Sequence, residues 1–219
     1  MADNYLEKKY EEYKSRKEGR TNHPYNGRKT TVIHKTRRVF VTGGAEGIGK
    51  AIVRAFRSAG HRVAFCDRNE AAGKETALQT GTSFFHVDVS DQEALENCMQ
   101  QIFKEWGDID IIINNAGISC FSPITETGVE DFDRILSVNL RPVFITSRRL
   151  AIHRQSQEAP NPFGRIVNIC STRYLMSEPG SEGYAASKGG IYSLTHALAL
   201  SLAQWPVCAC SSARRKMIL

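Results

Sequence analysis

No stretch of this 219-residue chain reaches the roughly eighteen consecutive apolar residues that a membrane-spanning helix needs, so no span is expected. The opening MADNYLEKKYEEYKSRKEGR has no apolar h-region, which argues against a secretory leader. Its five acids argue against a mitochondrial one, and a cytoplasmic protein is the expectation. Six cysteines are present (Cys66, Cys98, Cys120, Cys170, Cys208 and Cys210), but no Cys-x-x-Cys pair occurs among them. Their scatter offers neither a zinc-binding pattern nor a disulfide framework, so reduced thiols and no metal site are expected. Positive charge is equally scarce where a nucleic-acid binder would carry it. Residues 1–38 hold eleven Lys/Arg against five Asp/Glu, and Arg214, Arg215 and Lys216 add three more cations. That leaves fifteen basic and eighteen acidic residues for 39–213, a mildly acidic body beneath a formal net charge of +6. A nucleic-acid protein wears its positive charge as a stripe on the folded domain, so no nucleic-acid partner is expected.

What is present reads as one soluble domain with extensions. The chain is long enough to bury a substantial core, and 41% hydrophobic with 24% charged residues is ordinary for a globular protein. Residues 1–37 form a charged extension, with a sparse helix expected from Asn4 to Lys17. From Arg38 to about Gln204 the pattern changes to short β-branched runs alternating with helical spacing. RRVFVTGG, HRVAFCD, TSFFHVDVS, DIDIIINNAG and RIVNICS read as five strands. Helices are expected after each, including one from Asn69 to Thr80, one capped by Asp91 and one long helix from about Val129 to His153. Alternation at this spacing predicts an α/β fold with a doubly wound parallel sheet over 38–204. Ligands of such sheets bind at the carboxyl ends of the strands.

Those ends carry the informative residues. After the first strand, TGGAEGIG supplies Gly43, Gly47 and Gly49, with Glu46 and Ile48 in the same turn. The glycines allow a tight turn and close approach of backbone to a pyrophosphate, which the following helix N-terminus favours. After the second strand stands Asp67, placed to accept from ribose hydroxyls and to repel a 2′-phosphate. Arg68 beside it could instead hold that phosphate, so NAD is the expected cofactor and NADP the alternative. Asp88 and Val89 follow the third strand, near an adenine edge, although Asp88 equally suits a turn cap. Asn114, Asn115, Ala116 and Gly117 follow the fourth, where two amides can tie strand ends together and glycine lets a cofactor pass. Ser171 follows the fifth.

The stretch GYAASKGG then sets Tyr184 and Lys188 four residues apart, on one face of a helix. That spacing alone is common on solvated helices. Taken with Thr42-Gly43-x-x-x-Gly47-x-Gly49, Asn114-Asn115-Ala116-Gly117, Asn139 and Ser171, however, it resembles the short-chain dehydrogenase/reductase family over about residues 38–204. The resemblance implies a Rossmann-type fold, a nicotinamide cofactor and interconversion of a secondary alcohol and a ketone. It implies Tyr184 as acid/base, Lys188 beside it and on the cofactor ribose, Ser171 on the substrate oxygen and Asn139 positioning a water. A free phenol titrates near pH 10, and a neighbouring cation favours its ionised form, which gives the Tyr–Lys pair a chemical reason.

Two features depart from the family pattern. Pro142 falls inside the long helix, where it removes a donor and predicts a kink beside Asn139. WPVCACSSARRKMIL then replaces the family's last strands, so the chain reads as C-terminally truncated, with 205–219 an atypical tail and Pro206 to Cys210 at most a short edge strand. The expected partner is a small alcohol or carbonyl compound, without membrane. A homo-oligomer is implied for complete relatives and not for this chain. The competing expectation is a dinucleotide-binding remnant that does not turn over.

Overall fold

A computed structural model describes residues 35–205 and 207–212. The expected N-terminal helix lies outside the described residues. The elements run β1 (Arg38–Thr42), α1 (Gly47–Ser58), β2 (Arg62–Asp67), α2 (Glu70–Thr80), β3 (Ser83–His86), α3 (Gln92–Trp106) and β4 (Ile111–Asn114). They continue with α4 (Val129–Asn139), α5 (Arg141–Gln155), β5 (Gly164–Ile169), a 3-10 turn (Thr172–Tyr174), α6 (Glu182–Ser201) and β6 (Val207–Ser212). The six strands form one parallel sheet in the order β3-β2-β1-β4-β5-β6. The order reverses between β1 and β4, and a crevice opens there at the carboxyl ends.

Strand chemistry explains the layering. Val39 and Val41 face one way and join Ile52 and Val53 of α1, whereas Phe40 between them joins Leu95, Met99 and Ile102 of α3. Both faces are therefore buried, which is why these strands read as unbroken apolar runs. Each such side chain, fully buried, contributes roughly 1.5–3 kcal/mol of transfer free energy. The helix starts follow local signals: Asn69 accepts from the Ala72 N–H and Asp91 from the Ala94 N–H.

Two expectations are modified. The long helix is two helices broken at Leu140, because Pro142 takes the second position of α5, where a missing N–H costs nothing. The segment expected to be at most a short edge strand pairs with β5 over six residues, through Ser212. Its alternation of buried Val207 and Ala209 with exposed Cys208 and Cys210 fits a strand covered on one face.

At the opposite end of the sheet, Arg38 grips Asp110 through Nε and Nη2 at 2.9 and 3.0 Å. Burial alone would raise the Asp110 carboxyl, but these bonds bring it down to about 2. Nearby, the fully buried Arg154 donates to Asp108 and to the Ile109 and Phe163 carbonyls. These contacts fasten the amino ends of β1, β4 and β5 and leave the carboxyl ends free to carry chemistry.

Candidate active site

At the carboxyl ends lies a cavity of about 630 Å³. Its wall contains every cofactor-side residue expected from the sequence, from Gly43 to Gly117, together with Ser171, Tyr184 and Lys188. Asn139 stands behind the wall and is buried. Val87, Ile118, Ser119, Val138, Ile169, Cys170 and Thr172 complete the lining and were not anticipated. Most of them flank an expected residue by one or two positions, and that adjacency was the available signal.

The three glycines of the turn do different things. A Cβ on Gly49 would fall 1.8 Å from the Gly43 carbonyl oxygen, and one on Gly43 would fall 2.8 Å from the Ala116 Cα. Both are required by packing. Gly47 has φ +54° and nothing within 4 Å of its missing Cβ, so the absent side chain leaves room in the cavity itself. Behind the turn, Thr42 Oγ1 accepts from the Asn115 and Ala116 N–H groups, and Asn115 Nδ2 donates to the Thr42 and Gly43 carbonyls. The ends of β1 and β4 are thus tied together as the paired amides suggested. The start of α1 has no side-chain cap, since Glu46 accepts from Asn69 Nδ2 instead. Its first N–H groups are left for an anionic ligand, and the open Gly47 cradle beside them fits the pyrophosphate of a dinucleotide.

Asp67 accepts from the Ala45 N–H through one oxygen and from the Asn69 N–H through the other, both at 3.0 Å. Each oxygen keeps a lone pair for a hydroxyl, so the carboxylate is held rather than consumed. Asp88 caps its own turn, accepting from the Ser90 N–H at 2.8 Å and hydroxyl at 2.7 Å. Burial alone would raise its carboxyl, but these two bonds and the nearby Arg68 hold it below the usual range.

Also on the cavity wall, Lys188 is only 4% exposed. Its Nζ donates to the Ile169 carbonyl at 2.8 Å and sits 5.6 Å from the centre of the Tyr184 ring. Burial pushes its ammonium from 10.5 down to about 8, against an opposing contribution from the Cys170 thiol. Ser171 Oγ accepts from the Arg173 N–H and so starts the 3-10 turn. Asn139 Oδ1 accepts from the Ile118 N–H at 2.7 Å, while Nδ2 donates to the Ile118 carbonyl and to Ser187 Oγ. Both of its N–H bonds are committed to protein. Pro142 has no N–H to return to the Val138 carbonyl, and Val138 is a wall residue.

Sequence reasoning missed two positioning devices. Ser187 takes the Asn139 bond and donates to the Tyr184 carbonyl at 2.7 Å, linking those two residues. A buried chain also runs from Thr146 through Asn114 and Asn168 to Thr195, anchoring α6 to the sheet. Neither has a local signature, because the partners lie 27 to 54 residues apart except for one bond within α6.

Comparison with known proteins agrees with this architecture. The family profile for short chain dehydrogenases matches residues 37–212. An uncharacterized oxidoreductase of Thermotoga maritima is 36% identical over 172 residues, covering 76% of this chain and 66% of that protein. A sorbitol dehydrogenase of Cereibacter sphaeroides is 32% identical over 164 residues, covering 74% and 63%. The chain therefore spans about two thirds of the length of these curated relatives. Among solved structures, NAD+-bound xylitol dehydrogenase superimposes with a TM-score of 0.74 at 27% identity, over 81% of this chain and 69% of that one. With sheet order, glycine turn and Tyr–Lys pair all in place, and a profile match running from β1 through β6, the chain belongs to the short chain dehydrogenase family.

Proposed function

We propose that the protein interconverts a secondary alcohol and a ketone with a nicotinamide cofactor, NAD in preference to NADP. The observation that carries this reading is that Ser171, Tyr184 and Lys188 line the same cavity as Gly47 and Asp67. When bound, the cofactor would supply the hydride acceptor or donor. In the oxidative direction, Ser171 donates a hydrogen bond to the substrate oxygen and holds it against Tyr184, whose phenolate takes the hydroxyl proton. Lys188, cationic below its pKa of about 8, stabilises that phenolate and is in place for the cofactor ribose. Asn139, on this reading, is a positioning residue. Its side chain braces the Ile118 backbone and Ser187, and a relay water would sit at the carbonyls beside the break at Leu140. Asp67 favours NAD because its fixed carboxylate suits two ribose hydroxyls and opposes a phosphate.

The test is absorbance at the reduced-nicotinamide band with a panel of alcohols, beside Tyr184→Phe. The parent is expected to turn over and the variant to lose turnover while binding NAD within about threefold of the parent, because the deleted hydroxyl serves chemistry rather than binding. Nucleotide binding without turnover in the parent would instead favour the non-catalytic reading.

A further inference from the structure

We infer that the substrate is a neutral alcohol or ketone with an apolar carbon skeleton, not a polyol, sugar or sugar acid. The inference rests on the catalytic reading above for the reacting end and adds what lies beyond it. Two loops flank Tyr184: residues 116–127 after β4 and residues 172–181 after β5. They touch, because Gly180 (φ +75°) lies so close to Ser122 that a Cβ would come within 2.8 Å of its carbonyl oxygen. Large apolar side chains stand exposed on both, namely Phe121, Ile124, Leu175 and Met176 at 57, 65, 75 and 69%. Phe121 ties this surface to the chemistry, with its ring centre 6.2 Å from that of Tyr184. None of the four lines the cavity itself; they form an exposed apolar rim on the two loops that adjoin it, and such a rim marks a ligand surface more than a folding need.

The polar groups of the same loops point the same way. Their charged side chains are Glu126, Arg173 and Glu178. Arg173 is paired with Glu178 at 2.5 Å and also donates to the Met176 carbonyl, so no cation is left on the loops for a substrate carboxylate or phosphate. Four of the loops' eight hydroxyls are used within the loops, whereas those of Ser119, Thr125, Thr172 and Tyr174 are not, and Ser119 and Thr172 lie on the cavity wall. Ser122 and Thr127 bond each other, Ser177 donates to the Arg173 carbonyl, and Ser181 to the Glu178 carbonyl. A site that selects a polyol needs donors and acceptors along its whole length, whereas away from the cavity wall these loops set four exposed apolar side chains against the two uncommitted hydroxyls of Thr125 and Tyr174.

The full chain loaded with NAD is assayed with cyclohexanol and with sorbitol, in the parent and in the Phe121→Ser, Leu175→Ser double variant. Both positions are exposed, and a melting curve checks that the variant folds. The parent is expected to show kcat/KM at least about tenfold higher for cyclohexanol, and the variant to lose about tenfold on cyclohexanol with less than twofold change in NAD affinity. A preference for sorbitol, or no loss in the variant, overturns the proposal. If neither alcohol is oxidised, the catalytic reading fails, and saturation transfer from protein to ligand protons decides the substrate side separately. Transfer to cyclohexanol that the double variant abolishes, with none to sorbitol, supports the proposal, and its absence in the parent overturns it.

Discussion

Replacing Lys188 by methionine separates what the buried ammonium does for stability from what it does for chemistry. At 4% exposure the charge has almost no water of its own, so its shift needs no discount for solvent screening. The drop from 10.5 to about 8 corresponds, at about 1.4 kcal/mol per unit, to roughly 3 kcal/mol of destabilisation at pH 7. The folded-state pKa is depressed, so the unfolded chain binds the extra proton between about pH 8 and 10.5. The penalty is complete below pH 8, and stability recovers as pH rises through that window. Integrated from pH 7 to pH 9.5, the parent should gain about 2 kcal/mol relative to Lys188→Met, in which nothing titrates at this position. Taking the difference between the two proteins cancels the other titrating groups. Stability at pH 7 alone is less decisive, because the variant also loses the bond to the Ile169 carbonyl, an offset of roughly 1.5–3 kcal/mol. Urea unfolding of both proteins at the two pH values is the measurement. Parallel behaviour would refute the argument that this ammonium is buried at a cost. On the proposed function the variant also loses turnover, whatever its stability.

Asp67→Asn keeps an acceptor for one backbone N–H but removes the charge, so fluorescence titration should show NAD affinity falling about tenfold and NADP affinity rising. Unchanged selectivity would remove Asp67 from cofactor choice. Gly49→Ala should collapse the turn, losing nucleotide binding and roughly 3 kcal/mol or more of stability, because its Cβ meets the Gly43 carbonyl at 1.8 Å. Gly47→Ala should cost only roughly 1–2 kcal/mol of left-handed backbone strain yet weaken nucleotide binding, so calorimetry and titration together distinguish the two glycines. Arg154→Leu should lower stability by roughly 3 kcal/mol, because Asp108 and two carbonyls lose a donor. Turnover per folded molecule should stay near the parent's, since the change lies at the far end of the sheet.

Features with local chemical causes were legible in the sequence. The glycine turn, the Asp91 cap and the strand ends all depend on residues within a few positions of one another. Pro142 announced a disturbance, and the structure resolves it as a break at Leu140 with Pro142 in the first turn of α5, an outcome that a kinked single helix would have matched equally well in the sequence. The sixth strand was hard to read because small Cys, Ala and Ser residues give a weak apolar signal. Its pairing partner, β5, supplies what the segment lacks. Ser187 and Thr195 read as ordinary helix residues, and only the folded chain shows Asn139 and Asn168 pointing at them.

The parallel register explains why the strand-end residues of the cavity wall were easier to read than the two loops beside it. Thr42 pairs with Cys66 and with Asn114, Asn114 with Asn168, and Asn168 with Ser211, so one row crosses β2, β1, β4, β5 and β6 just below the crevice. The residues immediately after that row include Gly43, Asp67, Asn115 and Ile169, and all four line the cavity. Once the strands are recognised, counting to their ends therefore finds this part of the cavity wall without any knowledge of long-range contacts. No ladder indexes residues 116–127 or 172–181. Their placement relies on single contacts such as Gly180 against Ser122 and Phe121 against Tyr184. Loops held this way tolerate changes of side chain that the strand ends do not, so on the proposed function substrate choice falls to the segments where sequence spacing carries the least information.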